Sequence, residues 1–417
     1  MTDSTPRWRR DFRWYWGGYS VSRIGDFTAE IALPLATYAQ THSAVAVGVV
    51  AAMAPTATIT FALPAGALAD RVDHRRVLLA TDATRVAILA ITAGLLALGD
   101  CGFVGLALAA LALGTASIMH DAAEVPALTV VVPGTGLVAA NGRIGASDAA
   151  ANVTGPPLGG ALVGAGGPAL AFLVDAATFA VSFLATLQVR ALRRVSTTAN
   201  GPDGTGDRQP PPSRAVGLQA GFRALLANEI VWRAALIVAA SNVAAVGVDA
   251  QFIPFARASL HLSDLSIGAL FSLAGGVGLL TSVAVARAGR VRLDIIVGGL
   301  VVFASGVLLL GVFPSVATAV AAFAACGVGS GAAQCHWGAL RQQQFPTEML
   351  GRVTMASRIV LTLGMAVAMV GGGFVSRAAG PPTLFIVLGL FGLVSVALLG
   401  PSLLRATLGE PAARAAR

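Results

Sequence analysis

Beyond Arg13 at its edge, the run from Phe12 to Ala39 is built for hydrocarbon except for three charged residues, Arg23, Asp26 and Glu30. Residues three and four apart share a helix face, so Asp26 and Glu30 lie one turn apart on one side, with Arg23 a turn before them. Ionisable groups at membrane depth are expensive, and they face a cavity or a partner. A carboxylate so placed can take up and release a proton. Arg23 is spaced to pair with Asp26 and keep it ionised, whereas Glu30 has no local cation and is better placed to carry a proton. The competing reading is a static Arg23–Asp26 pair that only holds helices together.

Other charged groups sort by position. The turn Gly66-Ala-Leu-Ala-Asp70-Arg71-Val-Asp73-His74-Arg75-Arg76 is too charged for hydrocarbon and must mark one face of a membrane. Asn242, Asp249 and Gln251 bring polarity to an apolar run and are candidates for a substrate cavity; an external-mouth position for Asp249 is equally open. Asp82 and Arg85 are spaced to form a structural pair. Asp148 and Asp175 either contact a substrate or bond a neighbouring helix. His120, Asp121 and Glu124 resemble a cation-binding trio, but they lack a fourth ligand and fall where the fourth run ends, so a solvated loop is expected. Cys101, Cys326 and Cys335 show no metal-ligand spacing and read as packed free thiols. No metal, no cofactor and no enzyme constellation is expected, and no G-x-x-x-x-G-K-[ST] loop is present to bind ATP.

The elements that must position these groups follow from composition. The chain is 56% hydrophobic and 12% charged, against about 25% charged in a soluble domain. About 20 apolar residues cross a bilayer core as a helix. Runs of that order are drawn at Phe12 to Ala39, Ala44 to Ala69, Val77 to Leu98, Phe103 to Met119, Gly142 to Val163 and Pro168 to Val189. A second set runs Val231 to Phe255, Leu262 to Ala288, Leu293 to Phe313, Val316 to Leu340, Gly351 to Val375 and Pro382 to Leu404. Continuous apolarity excludes barrel strands, which alternate. The expected fold is an all-α membrane protein of twelve transmembrane helices in two pseudo-symmetric six-helix bundles. Its parts are residues 1–189, a linker at 190–228 with an amphipathic piece from Gly217 to Leu226, and residues 229–417.

The net charge of +8 comes entirely from arginine, since the chain has no lysine. The basic residues recur at every second connection rather than forming a patch, which argues for topology and against nucleic acid. They place both termini in the cytoplasm of a multi-pass protein of the inner (plasma) membrane. No cleavable signal is read in the first run. Gly142-Arg143-Ile144 with Ala146-Ser147 and Gly155 echoes Gly351-Arg352-Val353 with Ala356-Ser357 and Gly364 about half a chain later, as a duplicated transporter would show.

The turn from Gly66 to Arg76 resembles the signature loop of the major facilitator superfamily. Gly142 and Gly155-Pro156-x-x-Gly159-Gly160 resemble the antiporter motif of its exporters, with Ala151 in place of a usual glycine. Arg23-Ile-Gly-Asp26, Ala32-Leu33-Pro34-Leu35 and Leu350-Gly351-Arg352-Val353 are similar to the macrolide, multidrug and siderophore exporter branch. Two departures stand out: the loop Ala286 to Arg292 has no aspartate, and the run from Phe103 to Met119 lacks the superfamily's arginine.

The resemblance implies transport by rocking two bundles about a midplane site. Asp70 would act as a latch at the amino end of the eleventh helix near Arg352, with Arg71, Arg75 and Arg76 adding ion pairs and Gly66 allowing close approach. Gly155, Pro156 and Pro157 would bend the fifth helix and seal it against leakage. The expected activity is a proton-coupled antiporter, working as a monomer in the lipid bilayer, that exports a small amphipathic or lipophilic molecule. The alternative is a proton-coupled importer of a small nutrient.

Overall fold

The helices are long because the medium requires it: in lipid every backbone polar group must be satisfied within its own segment. The structure is a computed structural model that describes residues 7–69, 72–193, 214–287 and 293–414. Its helices run in order α1 (Arg7–Thr41), α2 (Ala44–Ala51), α3 (Met53–Ala69), α4 (His74–Leu98), α5 (Phe103–Val131) and α6 (Leu137–Gln188). They continue as α7 (Arg214–Ala227), α8 (Glu229–Ala258), α9 (Asp264–Arg287), α10 (Leu293–Val312), α11 (Val316–Gln344), α12 (Thr347–Ala379) and α13 (Pro381–Arg414). No strand occurs among the described residues.

Local chemistry sets the ends. The Ser43 hydroxyl accepts from the Ala46 amide at the start of α2, the Asp73 carboxylate caps α4 through the Arg75 amide, and the Asn228 side chain caps α8 through Val231. Ser315 and Thr318 form a reciprocal capping box at α11. Gly99, at φ 78°, closes α4 in the left-handed conformation that an L side chain resists.

Among the described residues, ten segments are long and apolar enough to cross a membrane. One of them, α6, has 52 residues, about 78 Å at 1.5 Å per residue, more than twice a bilayer core. It is two spans, broken at Gly166 and Gly167, whose φ/ψ of −143°/16° and 74°/176° leave the helix. The second half of α6 and the charged α1 bring the spans to twelve. The bend expected at Pro156 and Pro157 is not a break: the backbone stays helical there. Proline is tolerated in spans where neighbouring helices satisfy the freed groups. The fourth span also differs, because α5 continues past Met119 to Val131 and carries His120, Asp121 and Glu124 inside the helix.

The chain divides into two compact units. The first comprises Met1–His42, Met53–Arg208 and Ser263–Ser272; the second comprises Ser43–Ala52, Gln209–Leu262 and Leu273–Arg417. In the first, α1 packs along α6, and Phe12, Leu78, Leu128 and Val189 lie in one buried cluster. In the second, Ile237, Ile296, Trp337, Val353 and Leu403 form the core. Leu225 of α7 is fully buried in that core, so the amphipathic piece expected on the surface is a packed part of this unit. Large apolar side chains such as Leu98, Val138, Leu280 and Leu398 stay exposed, as lipid contact permits.

Candidate functional site

On α1 the expected charge pair is part of a larger group. Arg23 Nη1 donates to Asp26 Oδ2 at 2.9 Å, while its Nε donates to Asp148 Oδ1 on α6 at 2.8 Å. The Tyr19 hydroxyl donates to the same Asp148 oxygen at 2.8 Å, and the guanidinium lies over the Phe27 ring. One cation thus holds two carboxylates, one from each helix, and Asp148 takes the helix-bonding role of the two open to it. Glu30 lies two turns beyond Arg23, is exposed, and makes no hydrogen bond or ion pair among the described residues.

Deeper in the same unit sits a second polar cluster. Asp82 of α4 is fully buried, and its Oδ2 accepts from the Ser182 hydroxyl at 2.9 Å. Its Oδ1 is 3.5 Å from His120 Nδ1, which is also 3.1 Å from the Thr81 hydroxyl. The solvated loop expected for His120 is therefore corrected: the imidazole meets a carboxylate inside the first unit. Asp82 and Arg85 do not make a direct ion pair: the Arg85 guanidinium lies over the Phe179 ring at 4.7 Å, and its charge acts on Asp82 only at longer range. Asp175, also buried, accepts from Thr178 at 3.2 Å. A buried carboxylate that loses its donor bears the full desolvation penalty, so Ser182→Ala is expected to lower unfolding stability by about 1–3 kcal/mol. Denaturant unfolding in detergent checks this, and an unchanged midpoint would show that the Ser182 bond contributes nothing.

The glycines of the exporter-like motif divide in two. Gly155, Pro156, Gly159 and Gly160 are buried. A Cβ on Gly155 would strike Phe27, one on Gly159 would stand 2.5 Å from the Thr28 carbonyl, and one on Gly160 would collide with the Asp264 carbonyl. The Thr28 hydroxyl reaches the Gly155 carbonyl at 3.3 Å across this seam. Gly142, by contrast, is exposed and has open space around it. Of the charged turn, Asp70 and Arg71 lie outside the described residues, and Gly66 lies in the last turns of α3. Arg75 Nη2 donates to the Leu187 carbonyl at 3.4 Å, and Arg76 lies 3.7 Å from Asp73. Arg352 is exposed near the start of α12, and its carbonyl lies against Gly221 of α7.

The second unit holds a cavity of about 250 Å³ bounded by α8, α10, α11 and α12. Asn242 lines it, as expected of a cavity residue. Asp249 and Gln251 do not line it. Gln251 is fully buried instead, its Nε2 donating to the Ala44 carbonyl at 3.1 Å and tying α2 to α8. Most of the polar lining that sequence reasoning missed is on α11, Ser330, Gln334, Trp337 and Arg341, with Ser241 on α8 and Thr354 and Arg358 on α12 completing it. On α11 the spacing of four, three and four residues is the signal that could have found its members, a polar stripe down a helix otherwise rich in glycine and alanine.

Helices long and apolar enough to span a membrane, arranged in two compact units with charge networks between helices and a cavity in the second, define a multi-pass helical membrane protein. The chain belongs to the Major Facilitator Superfamily, whose family model matches residues 15–369. No curated protein matches it. Among solved structures it is similar to a bacterial homologue of the human lysosomal transporter Spinster, in an inward-facing and unoccupied conformation. That likeness has a TM-score of 0.75 at 13% identity, covering 96% of this chain and 98% of the other. A bacterial homologue of the iron transporter ferroportin, inward-facing, gives 0.72 at 16% identity over 95% and 98%. The nucleoside transporter NupG gives 0.70 at 12% identity over 93% and 99%.

Proposed function

We propose that this transporter is a proton-coupled antiporter that exports a small amphipathic or lipophilic molecule by alternating access. It works as a monomer in the plasma membrane with both termini in the cytoplasm. The halves at residues 1–189 and 229–417 rock about the linker, and the turn containing Gly66, Asp70, Arg71, Arg75 and Arg76 gates the cytoplasmic mouth together with Arg352. The packed glycines Gly155, Gly159 and Gly160 with Pro156 support the exporter assignment, and Asn242 contributes to the cavity.

The observation that carries this reading is the imbalance around Arg23: two carboxylates, Asp26 and Asp148, share one guanidinium, with Glu30 two turns on. The group of Arg23, Asp26 and Asp148 carries one net negative charge, which is costly in apolar surroundings, and taking up one proton neutralises it. Release on the other side restores the charge and couples the proton to the conformational change. The test is flux in reconstituted vesicles under an imposed pH gradient, with cationic, neutral and anionic naphthalene derivatives as cargo. Wild-type protein is expected to accumulate at least one of them uphill in the export direction. Asp26→Asn and Glu30→Gln are each expected to reduce that accumulation about tenfold or more, the scale of a lost charged hydrogen bond. Uphill accumulation retained in both variants would reject the assignment.

A further inference from the structure

The cavity of the second unit carries information about its occupant. Its walls are largely apolar, with Val238, Leu300, Phe303 and Leu361 among them. Its charged lining is one-sided: Arg341 and Arg358 contribute, and no aspartate or glutamate does. Asp249 lies within electrostatic reach of Cys326 in the wall but is not itself part of the lining.

Two donors on this lining have nothing to donate to. Trp337 is 3% exposed, and its Nε1 makes no hydrogen bond. Arg341 spends Nη1 on the Ser357 hydroxyl at 3.1 Å and lies over the Trp337 ring at 4.9 Å, but its Nε is buried and unpartnered. Buried polar groups are almost always satisfied, and orphans of one kind gathered on one cavity point to an acceptor that the protein does not supply. Water can serve in the resting state. An anionic oxygen serves better, because charge-assisted bonds from arginine are the strong ones and the surrounding walls are of low dielectric.

We propose that this cavity binds the anionic group, a carboxylate, sulfonate or phosphate, of a small amphipathic substrate, with Arg341 and Trp337 as donors and the apolar walls receiving its hydrocarbon. This rests on the export reading and narrows its substrate class. Ser330 and Gln334, on the same face of α11, lie within the same lining and add neutral hydrogen-bonding groups.

The test is calorimetric titration of the purified full chain in detergent with three probes of one skeleton: 2-naphthalenesulfonate, protonated 2-naphthylmethylamine and 2-naphthalenemethanol. The sulfonate is expected to bind about tenfold or more tighter than either of the others, as a charge-assisted bond would give. Arg341→Gln is expected to weaken the sulfonate about tenfold and leave the alcohol within about twofold. Trp337→Phe keeps the ring and loses the donor, and is expected to weaken the sulfonate about fivefold. Equal binding of the three probes, preference for the amine, or no binding at all overturns the proposal. So does full sulfonate affinity in Arg341→Gln, or in Trp337→Phe should the arginine variant fail to fold. No pH gradient enters this measurement, so a failure here leaves proton coupling standing, and a failure of coupling in vesicles leaves the anion site standing.

Discussion

Gly159→Ala is expected to be among the most damaging single-methyl additions in this chain, while Gly142→Ala, in the same sequence motif, is expected to be harmless. Gly159 faces α1, where a Cβ would sit 2.5 Å from the Thr28 carbonyl oxygen and 3.3 Å from Thr28 Cα. Those neighbours are backbone and cannot rotate away. The two helices must separate, and the loss spreads to Gly155 against Phe27 and to the Thr28 hydroxyl bond with the Gly155 carbonyl. Overpacking of a close helix contact costs about 3 kcal/mol, at the upper end of the usual range because no side chain can yield. Gly142 has nothing within reach of an added Cβ, so alanine there gains helix propensity of about 0.5–1 kcal/mol. Thermal unfolding of the two variants in one detergent separates the cases. Equal midpoints would show that the motif does not act through this packing.

The medium made much of the fold legible. A bilayer fixes span length, so hydropathy alone locates the helices, and the Gly166-Gly167-Pro168 sequence marks where α6 turns back. The charges of α1 were also legible, because a carboxylate in an apolar run has few reasons to be there. What failed was orientation. Periodicity shows that Gln251 is polar in an apolar helix but not that it faces the Ala44 carbonyl rather than a cavity. His120 read as loop because a charged stretch ends a hydropathy run. Only the packing of α4, α5 and α6 shows that Asp82 and Thr81 receive it. The partnership of Asp148 with Arg23 joins residues 125 apart in sequence, and no local spacing encodes it. The α11 stripe was readable in principle, yet its polar members are diluted by Gly329, Gly331, Ala332 and Ala333.

Replacing Arg23 by methionine is expected to damage both stability and transport, and the partners of Arg23 allow the two effects to be separated. Methionine preserves much of the chain length and removes the charge, leaving Asp26 and Asp148 without their shared cation. Removing one partner of a fully buried pair costs about 3–5 kcal/mol. The three side chains here are 28% to 39% exposed, so water or lipid headgroups screen part of that, and a loss of about 2 kcal/mol is expected. The double variant Arg23→Met with Asp148→Asn removes one stranded carboxylate and keeps a hydrogen-bond acceptor for the Tyr19 hydroxyl. About half of the lost stability should return, which a double-mutant cycle on unfolding free energies measures. Uphill transport should not return, because Asp26 has lost the cation that balances its charge, and that balance is what couples the proton to the conformational change. If the double variant recovers uphill flux along with stability, the Arg23 cluster only fastens α1 to α6, and coupling must reside elsewhere. The buried Asp82 and His120 pair would then be the next group to test, since Asp82 Oδ1 makes no hydrogen bond and lies 3.5 Å from the His120 imidazole.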